Sequence, residues 1–389
     1  MTGLPRTIAQ RKLLPGPAET TTHRDALPPL ADDPLALAPV CASCPKLCAP
    51  TCPVQGATGR ESVAPWRISA VVRDSARDGW RPETLHAAAS CTGCGACTHA
   101  CLPGVRLPEQ SRAARAAAAA EGVLLPAAAT MRDRITTTGS PRPADAYADE
   151  FAAGAVPTAG TALFFGCTVQ THRAEVGRAA KALADAAGET VRCAAGEICC
   201  GAAAADLGLA DETVALAESC ADQLAGVEQV VVLSPGCARM MRDYWPRLGI
   251  AAPRVVTSVE WLDTLLAGGG LQPREPDGVA VAWHDPCTLA RLLGVVDAPR
   301  RVLAALGLAV REPAATGLHT RCSGGGQAYP AVDATGAAAV AERRRAELAV
   351  LASPVVSACP QAERMLSGDA EPVRDILEVA AERLLGPRE

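Results

Sequence analysis

Two runs of four cysteines lie among helical stretches, and downstream of them a pattern of short strand, helix and cysteine occurs twice. Together these predict an α+β multidomain chain, with an all-helical unit followed by two repeated α/β units. A chain of 389 residues has room for that division and for well-buried cores. The expected limits are an N-terminal arm over 1–38, the helical unit over 39–122, a linker over 123–158, a first repeat over 159–272 and a second over 273–389.

Taken in order, residues 1–38 are rich in Pro, Thr and charge and read as a mobile arm. In the helical unit the cysteine runs alternate with helix-forming stretches such as "WRISAVVRDSARDG" and "EQSRAARAAAAAEG". The first run is Cys41, Cys44, Cys48 and Cys52; the second, separated from it by 38 residues, is Cys91, Cys94, Cys97 and Cys101. Four thiolates complete the coordination of a 4Fe-4S cluster, and in two-cluster spacing the last cysteine of each run reaches the other cluster. Cys41, Cys44, Cys48 and Cys101 are therefore expected to hold one 4Fe-4S cluster, and Cys91, Cys94, Cys97 and Cys52 a second. Structural zinc is the competing reading of C-x-x-C pairs. Residues 123–158 mix Pro, Gly and Thr and read as a linker with a turn or two of helix.

The repeat begins with "TALFFGC", a strand ending at Cys167, then a helix, then Cys199, Cys200 and Gly201, and finally "VVVLSPGCARMM". Its second copy runs from "VAVAWHDPC" through "CSGGG" to "PVVSACPQAERML". Spacing agrees, since Cys167 to Cys199 is 32 positions and Cys287 to Cys322 is 35. Strands alternating with amphipathic helices imply parallel sheets, with the cysteines at strand ends and in the following loops. In the first copy Cys167, Cys199, Cys200 and Cys237 offer four thiolates, enough for a cubane cluster or zinc. The second offers Cys287, Cys322 and Cys359, because Ser323 and Ala362 stand where cysteines would. Three thiolates suit a 3Fe-4S cluster, a 4Fe-4S cluster with an open or non-cysteine ligand, or no metal. His284 and Asp285 are candidate extra ligands or proton donors, the alternative being that His284 satisfies a loop hydrogen bond. Gly324, Gly325 and Gly326 permit close backbone approach. Cys220 shares an apolar helical face with Leu216 and Leu224, and Cys193 ends a strand, so both read as structural. The C-terminal "EPVRDILEVAAERLL" presents Val373, Ile376, Leu377 and Ala380 on one face and is expected to pack on the second copy.

Seventeen cysteines, odd in number and grouped in ligand spacing, suit the reducing cytosol better than a disulfide framework. No secretory signal and no apolar span of bilayer length is read, so the expected location is cytoplasmic or peripheral on the inner face of the membrane. A net charge of −5 without a basic run argues against nucleic acid. No G-x-G-x-x-G or P-loop is present to bind a nucleotide.

The double cysteine run followed by two CCG-type copies resembles the iron–sulfur subunits of glycolate oxidase and anaerobic glycerol-3-phosphate dehydrogenase, and the heterodisulfide reductase family. The likeness covers roughly residues 39–385. In that family the complete motif is a cysteine, then CCG, then C-x-x-C, and it binds a non-cubane cluster; neither copy here is complete. "SPGCARMMRDYW" resembles the glycolate-oxidase type, and "CSGGG" with "SACPQAERML" the heterodisulfide-reductase type. The resemblance implies a ferredoxin-like two-cluster domain followed by two CCG domains, in an electron-transfer subunit. It would accept electrons from an FAD-dependent dehydrogenase acting on a 2-hydroxy acid or similar substrate and pass them to a quinone or protein acceptor. A heterodisulfide-reductase-like catalytic subunit and a non-redox zinc-binding scaffold are the alternatives.

Overall fold

The computed structural model describes residues 37–143, 160–194, 198–368 and 371–386. The expected arm over 1–38 lies, apart from its last two residues, outside the described residues, as do 144–158 of the expected linker.

Proline marks the helix starts of the N-terminal unit. Pro53–Thr58, Pro65–Asp78, Pro82–Ala89 and Pro126–Thr138 each open on their proline, and Leu107–Ala120 carries Pro108 in its first turn. Proline has no N–H, and the first turn of a helix leaves its N–H groups without intrahelical partners in any case. Ile68, Val72 and Ser75 recur at helical spacing on the buried face of Pro65–Asp78, which packs on Leu107–Ala120. Ser69 donates to Gln110 across that contact at 2.9 Å. The helix Pro126–Thr138 is longer than the turn or two expected of a linker. It buries Ala128 and Ile135 in the helical core, and Arg132 pairs with Glu212 of the first repeat. A buried apolar stripe made this helix, despite a composition that reads as linker.

Each repeat folds as a four-stranded parallel sheet. The first comprises β1 (Thr161–Phe164), β2 (Val191–Ala194), β3 (Gln229–Val232) and β4 (Arg254–Thr257), in the order β2-β1-β3-β4. The second comprises β5 (Ala280–Trp283), β6 (Ala309–Arg311), β7 (Val355–Ser357) and β8 (Arg374–Asp375), in the order β6-β5-β7-β8. The chain reverses its direction of travel across the sheet between β1 and β3, and again between β5 and β7. Open parallel sheets place their sites at that reversal. β1 stops at Phe164, so Cys167 lies in the first turn of the helix Gly166–His172 and not at the end of the strand as expected.

The two sheets are related by an approximate two-fold exchange of helices. Ala174–Ala186 of the first copy packs on Ile376–Leu385 of the second, and Ser258–Ala267 of the first on Asp297–Ala305 of the second. Pro235–Arg239 touches Thr288–Leu292, and Gly166–His172 touches Pro360–Leu366, in the same swapped sense. The C-terminal helix, expected to pack on its own copy, therefore has its main partner in the other one. Its apolar face and that of Ala174–Ala186, with Val176, Ala179, Ala180 and Leu183, cover each other. One hydrophobic core accordingly runs through both sheets, from Phe164 and Val231 to Trp283 and Leu377. Arg173 fastens the join, pairing with Glu363 and Glu378 of the second copy.

Candidate metal centres

In the helical unit the cysteines gather in two sets. Cys41, Cys44, Cys48 and Cys101 line one apolar cavity with Trp66 and Leu107. Cys52, Cys91, Cys94 and Cys97 line another with Val54, Ile68 and Pro108, and Cys97 also reaches the first, standing in the wall between them. Local backbone explains the wrap. Pro53 turns the chain into a helix directly after Cys52, and Gly93 and Gly95, at φ +67° and +71°, let the loop curl between Cys91 and Cys97. Gly93 N–H donates to Cys91 Sγ at 3.3 Å, Lys46 N–H to Cys44 Sγ at 3.4 Å and Val105 N–H to Cys101 Sγ at 3.3 Å.

The thiols of each set also act on one another. Burial pushes Cys48 up to about 11, with Cys41, Cys101 and Cys44 adding to the rise. Burial likewise pushes Cys52 up to about 12, Cys94 and Cys91 contributing. Cys97 is raised well above the ordinary thiol value by burial, then by Cys91, Cys94 and Cys52. The rise itself is that of burial, which also acts on Cys220; the contributions from one thiol to the next show that the members of each set lie close together.

In the first repeat Cys167, Cys199, Cys200 and Cys237 line one stretch of cavity wall, and each thiol's titration is shifted by its neighbour in that order. Gly201, at φ +84°, turns the CCG loop, and its N–H donates to Cys199 Sγ at 3.4 Å. Trp245 Nε1 donates to the Cys200 carbonyl at 3.0 Å, and Arg142 acts to lower the Cys167 thiol against its raising by Cys199 and burial. In the second repeat Cys322 packs in one buried cluster with Cys94 of the helical unit, with Cys287 against it, and both neighbours raise its thiol. Cys359 is close enough to Cys287 to feel its charge. Arg291 clamps this junction through the carbonyls of Cys94 at 2.6 Å, Leu318 at 2.8 Å and Thr320.

Asp285 is engaged elsewhere, and His284 is held through Nδ1, its buried Nε2 having no hydrogen-bond partner. Asp285 accepts from Trp283 Nε1, Arg300, Thr316 and the Gly317 amide at 2.7 to 2.9 Å. His284 is fully buried and accepts at Nδ1 from Arg344 at 3.2 Å. Neither lines the cavity into which the repeat cysteines open. Cys220 is fully buried in the core and Cys193 packs half-buried against it.

Three features escaped the sequence reading. Both repeats open into one cavity of about 500 Å³, lined by Cys167, Cys199, Cys200 and Cys237 on one side and Cys287, Cys322 and Cys359 on the other. Arginines 112, 134, 142, 239 and 364 share its wall. The helical unit and the second repeat meet through the pair Cys94 and Cys322. Its signal was the glycine run, for a Cβ on Gly326 would lie 2.1 Å from the Thr92 carbonyl oxygen. The close approach those glycines permit is to the helical unit. Among the described residues, no three His, Cys, Asp or Glu side chains close on a point that would hold a single metal ion. The donors present are thiols in sets of three or four, a set whose chemistry fits iron–sulfur clusters. No helix among the described residues is long and apolar enough to cross a membrane.

The known proteins that resemble this chain bear on the same sites. The "Cysteine-rich domain" family, CCG, matches residues 161–242 and 281–367. A probable membrane-anchored ferredoxin of Chromohalobacter salexigens is 35% identical over 132 residues, 32% of this chain and 20% of that protein. One component of the dihydromethanophenazine:CoB--CoM heterodisulfide reductase of Methanosarcina barkeri is 33% identical over 172 residues, 42% of each chain. Lactate utilization protein A of an Exiguobacterium is 28% identical over 177 residues, 42% of this chain and 71% of that protein. The chain thus spans a fifth of the first relative and about two fifths of the second. Each of the two repeats thus matches the CCG cysteine-rich domain, and the similarities are consistent with an iron–sulfur oxidoreductase subunit.

Proposed function

We propose that the chain is an electron-transfer subunit. It would accept electrons from an FAD-dependent dehydrogenase acting on a 2-hydroxy acid or similar small substrate and pass them to a quinone or protein acceptor. One observation carries this, the packing of Cys94 with Cys322 in one buried cluster that Cys52 and Cys287 also touch, which sets thiols of the helical unit beside those of the second repeat. We assign one 4Fe-4S cluster to Cys41, Cys44, Cys48 and Cys101 and a second to Cys52, Cys91, Cys94 and Cys97. A further cluster, or zinc, is assigned to Cys167, Cys199, Cys200 and Cys237, and the second repeat's Cys287, Cys322 and Cys359 form a three-thiol site. The domain limits 39–122, 159–272 and 273–389 go with this reading. When bound, such clusters carry single electrons at potentials set by their surroundings. The protein's residues hold the thiolates, exclude water from the buried Cys91, Cys94 and Cys97, and offset negative charge with amide donors and Arg291. Anaerobic purification with iron and sulfide analysis and low-temperature spin resonance tests the reading. Two cubane signals and copurification with a flavoprotein are expected. Zinc without sulfide would favour the scaffold.

A second reading, reduction of a disulfide or related substrate, is favoured by the single cavity into which both repeats open. Assay with thiol substrates distinguishes it.

A further inference from the structure

A second cavity, of about 410 Å³, lies between the helical unit and the second repeat. Among the described residues its wall carries Arg291, Arg321, Arg343 and Arg344, together with His99 and His319, and no carboxylate. Four guanidinium groups so close together repel one another unless acidic groups offset them. Among the described residues Glu347 alone is paired with members of this set, taking Arg321 and Arg344. Arg291 is spent on the three backbone carbonyls described above. Arg343 donates to the Gly56 carbonyl at 2.6 Å, so that the helical unit fixes one wall of the cavity. Arg344, only 1% exposed, has its Nη2 without a hydrogen-bond partner, and His99 Nδ1, on the facing wall, is likewise buried and unpaired. A buried guanidinium nitrogen left unbonded costs free energy that an acceptor in the cavity would recover.

We propose that this cavity is a binding site for a small dianion, a phosphate or a dicarboxylate, held by Arg343 and Arg344 with His99 opposite. Flat guanidinium forks match the paired oxygens of either group. The site stands on its own residues and does not depend on the electron-transfer reading, although Cys52 and Cys322 in its wall put the anion beside two of the thiol sets.

The test is calorimetric titration of the anaerobically purified full chain with inorganic phosphate and, separately, with succinate. Saturable binding of at least one is expected, phosphate marking an oxyanion site and succinate a carboxylate site. Each of Arg343→Gln and Arg344→Gln should weaken it by about tenfold or more, a charged hydrogen bond's contribution. Arg343 is exposed at the rim, so its variant keeps the test decisive should loss of buried Arg344 impair folding. Arg345→Gln, on the same helix but outside the cavity and paired with Glu342, should leave binding unchanged. Absence of saturable binding of either anion at millimolar concentration, or binding that both cavity variants retain in full, overturns the proposal.

Discussion

Cys44, Cys91, Cys199 and Cys322 share a local device. Two positions after each stands a residue in the left-handed region, Lys46, Gly93, Gly201 or Gly324, whose amide donates to the preceding sulfur. Three of the four are glycines because an added Cβ is strained at that φ. Gly201→Ala would also bring its Cβ to 2.8 Å from the Thr213 carbonyl oxygen. We expect it to destabilise the fold by about 1–3 kcal/mol in urea unfolding, with loss of metal from the first repeat. Cys97→Ser, at the wall between the two helical-unit cavities, should remove about four iron atoms per chain and abolish electron transfer. Unchanged iron content there would end the cubane assignment. His284 makes a pH prediction. Burial, then Arg344, pushes it down to about 3, with Asp285 opposing. The unfolded chain gains a proton near pH 6.5 that the folded chain resists until about 3. Its stabilising contribution is thus complete above pH 6.5 and is lost as the pH falls through that window. His284→Gln should flatten the fall in urea-unfolding stability between about pH 7 and pH 5; an unaltered slope would mean that this histidine takes up its proton within the fold.

At the scale of elements, the repeat is longer than its cysteines suggest. β4 and β8 each lead into a helix through a capping box, Thr257 with Glu260 and Asp375 with Glu378. Those T-x-x-E and D-x-x-E pairs were in the sequence as helix-start signals and could have extended the match to the fourth strand. The length of Pro126–Thr138 was harder to read, because its alanines and threonines gain their place only from the surface that covers them. The Cys322 to Gly326 loop is where two elements fit closest. Gly326→Ala must shift the loop off Thr92, and we expect that shift to part Cys322 from Cys94. It should alter the spin-resonance signal assigned to Cys52, Cys91, Cys94 and Cys97 while leaving that of Cys41, Cys44, Cys48 and Cys101 as it was. Equal disturbance of both signals would show that the loop does not act through this contact.

For the whole molecule, the two-fold exchange sets unequal copies face to face, four thiols opposite three. Four thiols can complete a cubane unaided and three cannot, so the first copy is expected to keep its metal longer under graded chelation. Comparing metal content in Cys199→Ala and Cys322→Ala variants measures the ranking. Equal resistance would show that a fourth ligand completes the second site, His284 through its unpartnered Nε2 rather than Asp285, which is committed to Arg300 and Thr316. The chain alone is expected not to oxidise lactate, glycolate or glycerol-3-phosphate with an artificial dye. Such turnover without an added flavoprotein would contradict the electron-transfer assignment.

The sequence by itself determined where the cysteines stand and which of them gather within each unit. Cysteine spacing, proline starts and left-handed glycines are local constraints that act over a few bonds. The alternation of strand and helix likewise determined the two parallel sheets. Only the tertiary structure decided what lies between units: the swapped helices, the cavity common to both repeats, the meeting of Cys94 with Cys322, and the four guanidinium groups gathered around one cavity. Those contacts join residues up to hundreds of positions apart, Arg291 and Cys94 being separated by 197. They depend on which apolar faces cover one another, and many pairings satisfy the same hydrophobic pattern until the chain has packed.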